Sequence, residues 1–360
     1  MSRLGQDEPH TSGHAQSDLE VIVHTRPTDQ TADPGAAPRA LLLEDVHESA
    51  AAILRAEGLD VEVHATALDE DSLVEAVRGV HVLGVRSATR VGRRVLEAAP
   101  DLRAIGAFCT GTEKIDCDTA ARRGVAVLNA PHDNARSVAE VAVGGIIALS
   151  RCLLVHNAAA HTGIWTKTAA GAHEVRGRRL GIVGYGTVGT QLSVLAEAIG
   201  MDVVFHDVLD RAPLGRARRR QDLDTLLGEC DVVSLHVDGR KENRHLIGDG
   251  QLRAMRAGSL LLNLSRGTVL DTAALRRHLR SGHLAGAFID VFPDEPAAPG
   301  QAFVSELQGL PNVLLTPHIG GSSQEAQQRI AETVATALVT HLGTPTRTGT
   351  DTADGARLAA

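Results

Sequence analysis

The stretch "LGIVGYGTVG" (180–189) decides how the rest of this chain is read. Leu180–Val183 reads as a strand that runs straight into glycines spaced G-x-G-x-x-G, and "TQLSVLAEAIG" continues as a helix. The glycine pattern alone is a weak signal; between a strand and a helix it is a dinucleotide fingerprint. Gly184 permits the tight turn, Gly186 lets backbone approach a pyrophosphate, and Gly189 allows helix and strand to pack closely. The helix N-terminus offers the diphosphate free N–H groups and the positive end of its dipole. Asp207 closes the next strand, "DVVFHD" (202–207), 18 residues after Gly189. A carboxylate there accepts both hydroxyls of an adenosine ribose and repels a 2′-phosphate, so NAD is expected rather than NADP. His206 beside it reads as a packing residue.

Working outward, apolar strands alternate with amphipathic stretches on both sides of this motif. Before it the strands are Ala40–Leu43, Val61–His64, Val80–Val85, Leu102–Ala107 and Val125–Leu128. After it come "DVVSLHV", "SLLLNLS", "LAGAFIDVF" and "NVLLTP". Such alternation means βαβ units and mainly parallel sheets. The expected fold class is α/β, with two doubly wound parallel-sheet domains: a Rossmann NAD-binding domain inserted into a flavodoxin-like substrate domain. The substrate domain is assigned to 39–134 and 317–343, and the NAD-binding domain to 135–316. "RSVAEVAVGGIIALSRCLLVHNAAAH" (136–161) is expected as one long, Ala-rich helix, apolar almost all round and therefore buried, against another subunit if not within this one. With the arm after it (to about 176) it would be a dimerisation element. The last helix, Ser322–Leu342, is expected to return and pack on the first. Residues 1–38 and 344–360 are polar, Gly/Pro-punctuated and expected as a disordered leader and tail.

Composition excludes several function classes. Apolar residues make up 43% and charged residues 22%, a globular profile. A net charge of −8 and only 2% aromatics argue against nucleic acid as the partner. No apolar run is long enough to span a bilayer. The cysteines, Cys109, Cys117, Cys152 and Cys230, lack metal-ligand spacing and read as reduced thiols of a cytoplasmic protein; no metal is expected.

Ligands of open α/β sheets collect at the carboxyl ends of the strands. Three strands after the fingerprint end in polar groups there: "LLLNLSRG" presents Arg266, "AFIDVFPDEP" presents Asp290 and Glu295, and "LLTPHIGG" presents His318. Each alone has a dull explanation, as a surface charge, a turn or a satisfied side chain. Together they suit hydride transfer on a small anionic 2-hydroxy or 2-oxo acid. Arg266 can hold its carboxylate by a bidentate pair. His318 can exchange the hydroxyl proton, since its ordinary pKa lies near neutrality. Glu295 as partner would stabilise the imidazolium.

The same stretches, with "AFCTGTEKIDCDTAARRGVAVLNAP", "NARSVAEV" and "GIWTKTAAGAHEVRGRRL", make the chain resemble the D-isomer-specific 2-hydroxyacid dehydrogenases. Within that family the likeness is to the branch that oxidises D-3-phosphoglycerate, and it covers about 39–342. The resemblance implies a catalytic triad of Arg266, Glu295 and His318. It implies NAD contacts at Thr187, Val188, Asp207, Leu264, Ser265, Arg266, Asp290, His318, Ile319, Gly320 and Gly321, and substrate contacts at Arg86, Ser87 and Asn134. Lys167 matches a lysine that reaches the neighbouring subunit's site, which implies a homodimer or homotetramer.

Departures from the pattern bear on the substrate. "RSAT" (86–89) places Ala88, and "EVHATALD" (62–69) places Ala65, where the branch has cations that face a substrate phosphate. Arg90 is the next cation along. Asp238 stands where a proline usually ends "LHVP". The chain stops at 360, so the serine-sensing regulatory domain of the bacterial branch, and feedback by serine through it, are expected to be absent. A relative recruited to another acid (2-hydroxyglutarate-like or a phosphonate) and an NAD-gated, corepressor-like binding protein are the alternatives.

Overall fold

The protein is described by a computed structural model covering the backbone of residues 21–22 and residues 37–296 and 300–343. Its first sheet contains β1 (Val21–Ile22), β2 (Arg39–Leu42), β3 (Asp60–Val63), β4 (Val82–Val85), β5 (Ala104–Ala107) and β6 (Ala126–Asn129), ordered β1-β6-β5-β4-β2-β3. Apart from β1 every pairing is parallel, and the order from β3 to β6 is the flavodoxin-like one. Its helices are α1 (Glu48–Ala56), α2 (Glu70–Ala76), α3 (Arg93–Ala98) and α4 (Cys117–Arg122). The second sheet begins after α5 (Ala135–Ser150) and α6 (Leu153–His161). It contains β7 (Arg179–Val183), β8 (Asp202–His206), β9 (Arg218–Arg219), β10 (Val232–Leu235), β11 (Ser259–Asn263), β12 (Leu284–Ile289) and β13 (Val313–Leu315). The order β13-β12-β11-β10-β7-β8-β9 is all parallel and reverses direction at β7, the doubly wound dinucleotide-binding arrangement. Helices α7 (Thr187–Ala198), α8 (Leu223–Glu229), α9 (Asp249–Ala254) and α10 (Thr272–Arg280) cover it, and α11 (Gln324–Gly343) closes the described chain.

Both sheets are buried on both faces, so their central strands read as unbroken apolar runs. On one face of the first sheet, Leu42, Leu54 and Leu128 pack with Ile330, Val334 and Leu338 of α11, which lies against α1 as expected. Phe205 and Phe288 anchor one side of the second sheet. Phe288 presses so closely on α5 that a side chain at Gly145 would overlap its ring.

Three expectations need correction. The segment 136–161 is two helices bent by 70° about Cys152, which adopts the left-handed conformation at φ 53°. A continuous helix would give the Ser150 carbonyl to Leu154; here it accepts from His173 N at 2.7 Å, so the returning arm ends α5. Helix α5 buries one face only, and α6 buries none of its residues. The leader, expected to be structureless, supplies β1, which pairs antiparallel with β6 through Val21↔Leu128 and Ile22↔Val127. The rest of the leader to 36, and the tail 344–360, lie outside the described residues. Residues 317–320, placed with the first sheet's half, are tied instead to the second sheet: His318 N donates to the Asp290 carbonyl at 2.8 Å. No single helix among the described residues is long and apolar enough to cross a membrane.

Candidate active site

The carboxyl ends of β7, β8, β11, β12 and β13 bring the expected residues to one edge of the second sheet. The glycines of the opening motif differ in their surroundings as their roles require. Gly184 has φ +92°, and a Cβ there would lie 2.6 Å from the His236 carbonyl oxygen. A Cβ at Gly189 would overlap the Gly184 carbonyl oxygen, so only glycine lets α7 approach β7. At Gly186 a Cβ would meet nothing within 4 Å: the backbone there borders open space that would fit a diphosphate. Asp207 follows β8 and fixes the loop, its Oδ2 accepting from Tyr185 N at 2.7 Å and its Oδ1 from Leu209 N at 2.8 Å. This end of the sheet fits NAD. Gly186→Val is expected to abolish NADH binding, measured by fluorescence titration, without moving the thermal midpoint. Gly189→Ala is expected to destabilise the fold by about 1–3 kcal/mol through overpacking.

Arg266 is set by its neighbours. Asn263, fully buried, accepts from Ser265 N and Oγ at 3.1 and 2.8 Å and donates to the Arg266 carbonyl at 3.1 Å. A side chain at Gly267 would overlap the Phe292 carbonyl group, so this turn packs directly on the loop that carries Glu295. Leu264 and Ser265 are buried within it, at 7% and 4% exposure.

Glu295 Oε1 accepts from Phe292 N at 3.1 Å, and its Oε2 lies 2.8 Å from His318 Nδ1. A carboxylate can only accept, so Nδ1 carries the proton of this contact and Nε2 is the ring nitrogen free to face a substrate. The hydrogen bond to Glu295 holds the His318 imidazole above its ordinary pKa, against burial, which acts the other way. Burial would raise the Glu295 carboxyl, but the hydrogen bond and charge of His318 outweigh it and hold that group below its ordinary range. Asp290, only 2% exposed, braces the histidine turn: its carboxylate accepts from Thr316 Oγ1 at 2.6 Å, Ile319 N at 2.9 Å and Gly320 N at 2.8 Å. His318 itself adopts φ 54°.

The first sheet's carboxyl edge faces this one. Gly321 lies against Asn134, whose amide a Cβ there would overlap. Thr187, at the start of α7 beside half-buried Val188, contacts His132 Nδ1 at 2.8 Å through its hydroxyl. Arg86 donates from Nη1 to the Glu44 carbonyl at 3.2 Å, and Ser87 is exposed beside it. The Glu44 carboxylate caps this loop, accepting from Arg86, Ala88 and Thr89 N at 3.1, 2.8 and 2.8 Å. Arg266 crosses the cleft to Glu113, which the sequence reading did not single out. Lys167 is not brought to the site; it lies exposed on the arm after α6. Glu44, Glu113, His132 and Asn263 had no signal in the sequence beyond their polar type near strand ends.

Residues 143–320 match the family described as D-isomer specific 2-hydroxyacid dehydrogenase, NAD binding domain. The chain is 50% identical over 300 residues to D-3-phosphoglycerate dehydrogenase of Escherichia coli (strain K12), covering 83% of this chain and 73% of that protein. It is 47% identical over 296 residues to the enzyme of the same name from Haemophilus influenzae, covering 82% and 72%. Among solved structures it resembles the TT0316 protein from Thermus thermophilus, with a TM-score of 0.77, 33% identity, and coverage of 84% and 96%. It also resembles D-lactate dehydrogenase from Aquifex aeolicus complexed with NAD and lactic acid, with a TM-score of 0.72, 27% identity, and coverage of 84% and 95%.

Proposed function

The chain belongs to the D-isomer-specific 2-hydroxyacid dehydrogenase family, and we propose that it oxidises D-3-phosphoglycerate to 3-phosphohydroxypyruvate, the entry to serine synthesis. One arrangement carries the reading: a His318–Glu295 pair at 2.8 Å, on a loop packed directly against the turn that presents Arg266. The names of the relatives at 47–50% identity support the substrate.

Bound NAD supplies the acceptor for the hydride that leaves C2. Arg266 holds the substrate carboxylate through the forked edge of its guanidinium, which fixes C2 in front of the imidazole. His318 Nε2 takes the hydroxyl proton as the alcohol is oxidised, and Glu295 stabilises the resulting imidazolium. In reduction the imidazolium returns that proton to the carbonyl oxygen. The half built on β2–β6 and α11 binds substrate, with Arg86, Ser87 and Asn134 at its edge; the half built on β7–β13 binds NAD. The exposed apolar side chains of Leu153, Val155, Ile164 and Trp165, the last 89% exposed, support contact with a second copy. Lys167 would then complete the neighbour's site in a homodimer or homotetramer. Free thiols at every cysteine support a cytoplasmic enzyme.

The test is NADH oxidation with 3-phosphohydroxypyruvate, 2-oxoglutarate and glyoxylate side by side. 3-Phosphohydroxypyruvate is expected to give the highest kcat/KM. A wide margin for either other acid points to the substitutions at Ala65 and Ala88. Tight NADH binding with no turnover of any acid points to the binding-protein reading.

A further inference from the structure

The contact between Glu113 and Arg266 belongs to no step of the reaction above. Oε1 of Glu113 lies 3.1 Å from both Nε and Nη2 of Arg266. One carboxylate oxygen is therefore seated in the fork that the substrate carboxylate needs. Nη1 is committed to the Ser265 carbonyl at 2.9 Å. The two residues lie 153 positions apart and come from opposite walls of the cleft. Gly111 makes room for this pose, since a side chain there would overlap the Glu113 carboxylate.

The pair is lopsided. Glu113 is 62% exposed against 33% for Arg266, so the glutamate is the partner that can leave. It also lines an open cavity of about 600 Å³ whose wall carries Arg90, Arg93, Arg94 and Lys114 alongside Glu70, Glu97 and Asp116. A displaced carboxylate thus has open space of mixed charge to turn into. We propose that Glu113 is a built-in competitor at the carboxylate subsite: it occupies Arg266 until an acid displaces it. This rests on reading Arg266 as the carboxylate anchor. Uptake then exchanges one ion pair for another, and affinity responds weakly to ionic strength. Without Glu113 an ion pair is gained outright and screening is felt in full.

The experiment compares wild type, Glu113→Gln and Arg266→Gln at low and high ionic strength. It uses the 2-oxo acid turned over fastest, with oxamate as a monoanionic competitor. In Glu113→Gln at low salt, KM and the oxamate inhibition constant are expected to fall about two- to five-fold. KM should change more than kcat and rise with salt more steeply than in wild type. Unchanged or higher constants, or parallel salt profiles, overturn the proposal. If Arg266→Gln keeps the wild-type kcat/KM, the anchor reading itself has failed. If it loses kcat/KM while Glu113→Gln matches wild type, only the present inference has.

Discussion

With His318 replaced by Asn, kcat is expected to fall by a factor of about 10² to 10⁴, the range for removing a general acid–base. Asn suits the position, because the histidine occupies the left-handed region at φ 54° and Asn tolerates that region better than most residues. Its amide can still donate toward Glu295 but cannot titrate. A lost rate should therefore come without a lost fold, and thermal unfolding measured beside kcat separates the two. Wild-type turnover would remove His318 from the proton transfer. The pH profile gives an independent readout. On the proposed mechanism the imidazolium is the donor in reduction, so reduction should be fastest below the raised His318 pKa and decline as pH rises through it. Glu295→Gln removes the main cause of that elevation, so the decline should move to lower pH; a profile that stays in place would contradict the pairing.

Arg266→Gln is expected to lower kcat/KM by about 10²- to 10³-fold, through the loss of two charge-assisted hydrogen bonds to the substrate. Arg266→Lys should recover only part, because an ammonium restores the charge but not the planar fork. Neither change should disturb folding much: the ion pair being removed is partly exposed on both sides, and such pairs add little stability. Steady-state kinetics with a melting curve for each variant would check this, and a kcat/KM within about two-fold of wild type would end the role.

What the sequence made legible was whatever is local. A strand buried on both faces announces itself, as "SLLLN" does before Arg266, and a polar residue just past its end is at once a candidate. His318, Glu295, Arg266 and Asp207 were all picked out as candidates this way. The bend at Cys152 was not, because no Gly or Pro marks "ALSRCLLV"; its cause is a hydrogen bond from His173, over twenty residues on. Nothing distinguishes Val21–Ile22 from other short apolar pairs until the edge of β6 is there to receive it. Glu113 carries no local signal either, since its meaning lies in a guanidinium brought to it only by the approach of two sheets.

The bracing of the histidine turn has a mechanical consequence. His318, Glu295 and Arg266 all hang from the second sheet, through Asp290, Phe292 and Asn263. A rotation of the two halves about the linking segments would leave the His318–Glu295 pair and the Arg266 turn assembled. Among the bonds that span the gap, it would break Glu113 to Arg266 and His132 to Thr187. On the proposed function, opening to admit an acid and closing to expel water would then proceed as rigid-body travel, with the three side chains carried as a fixed instrument on one jaw.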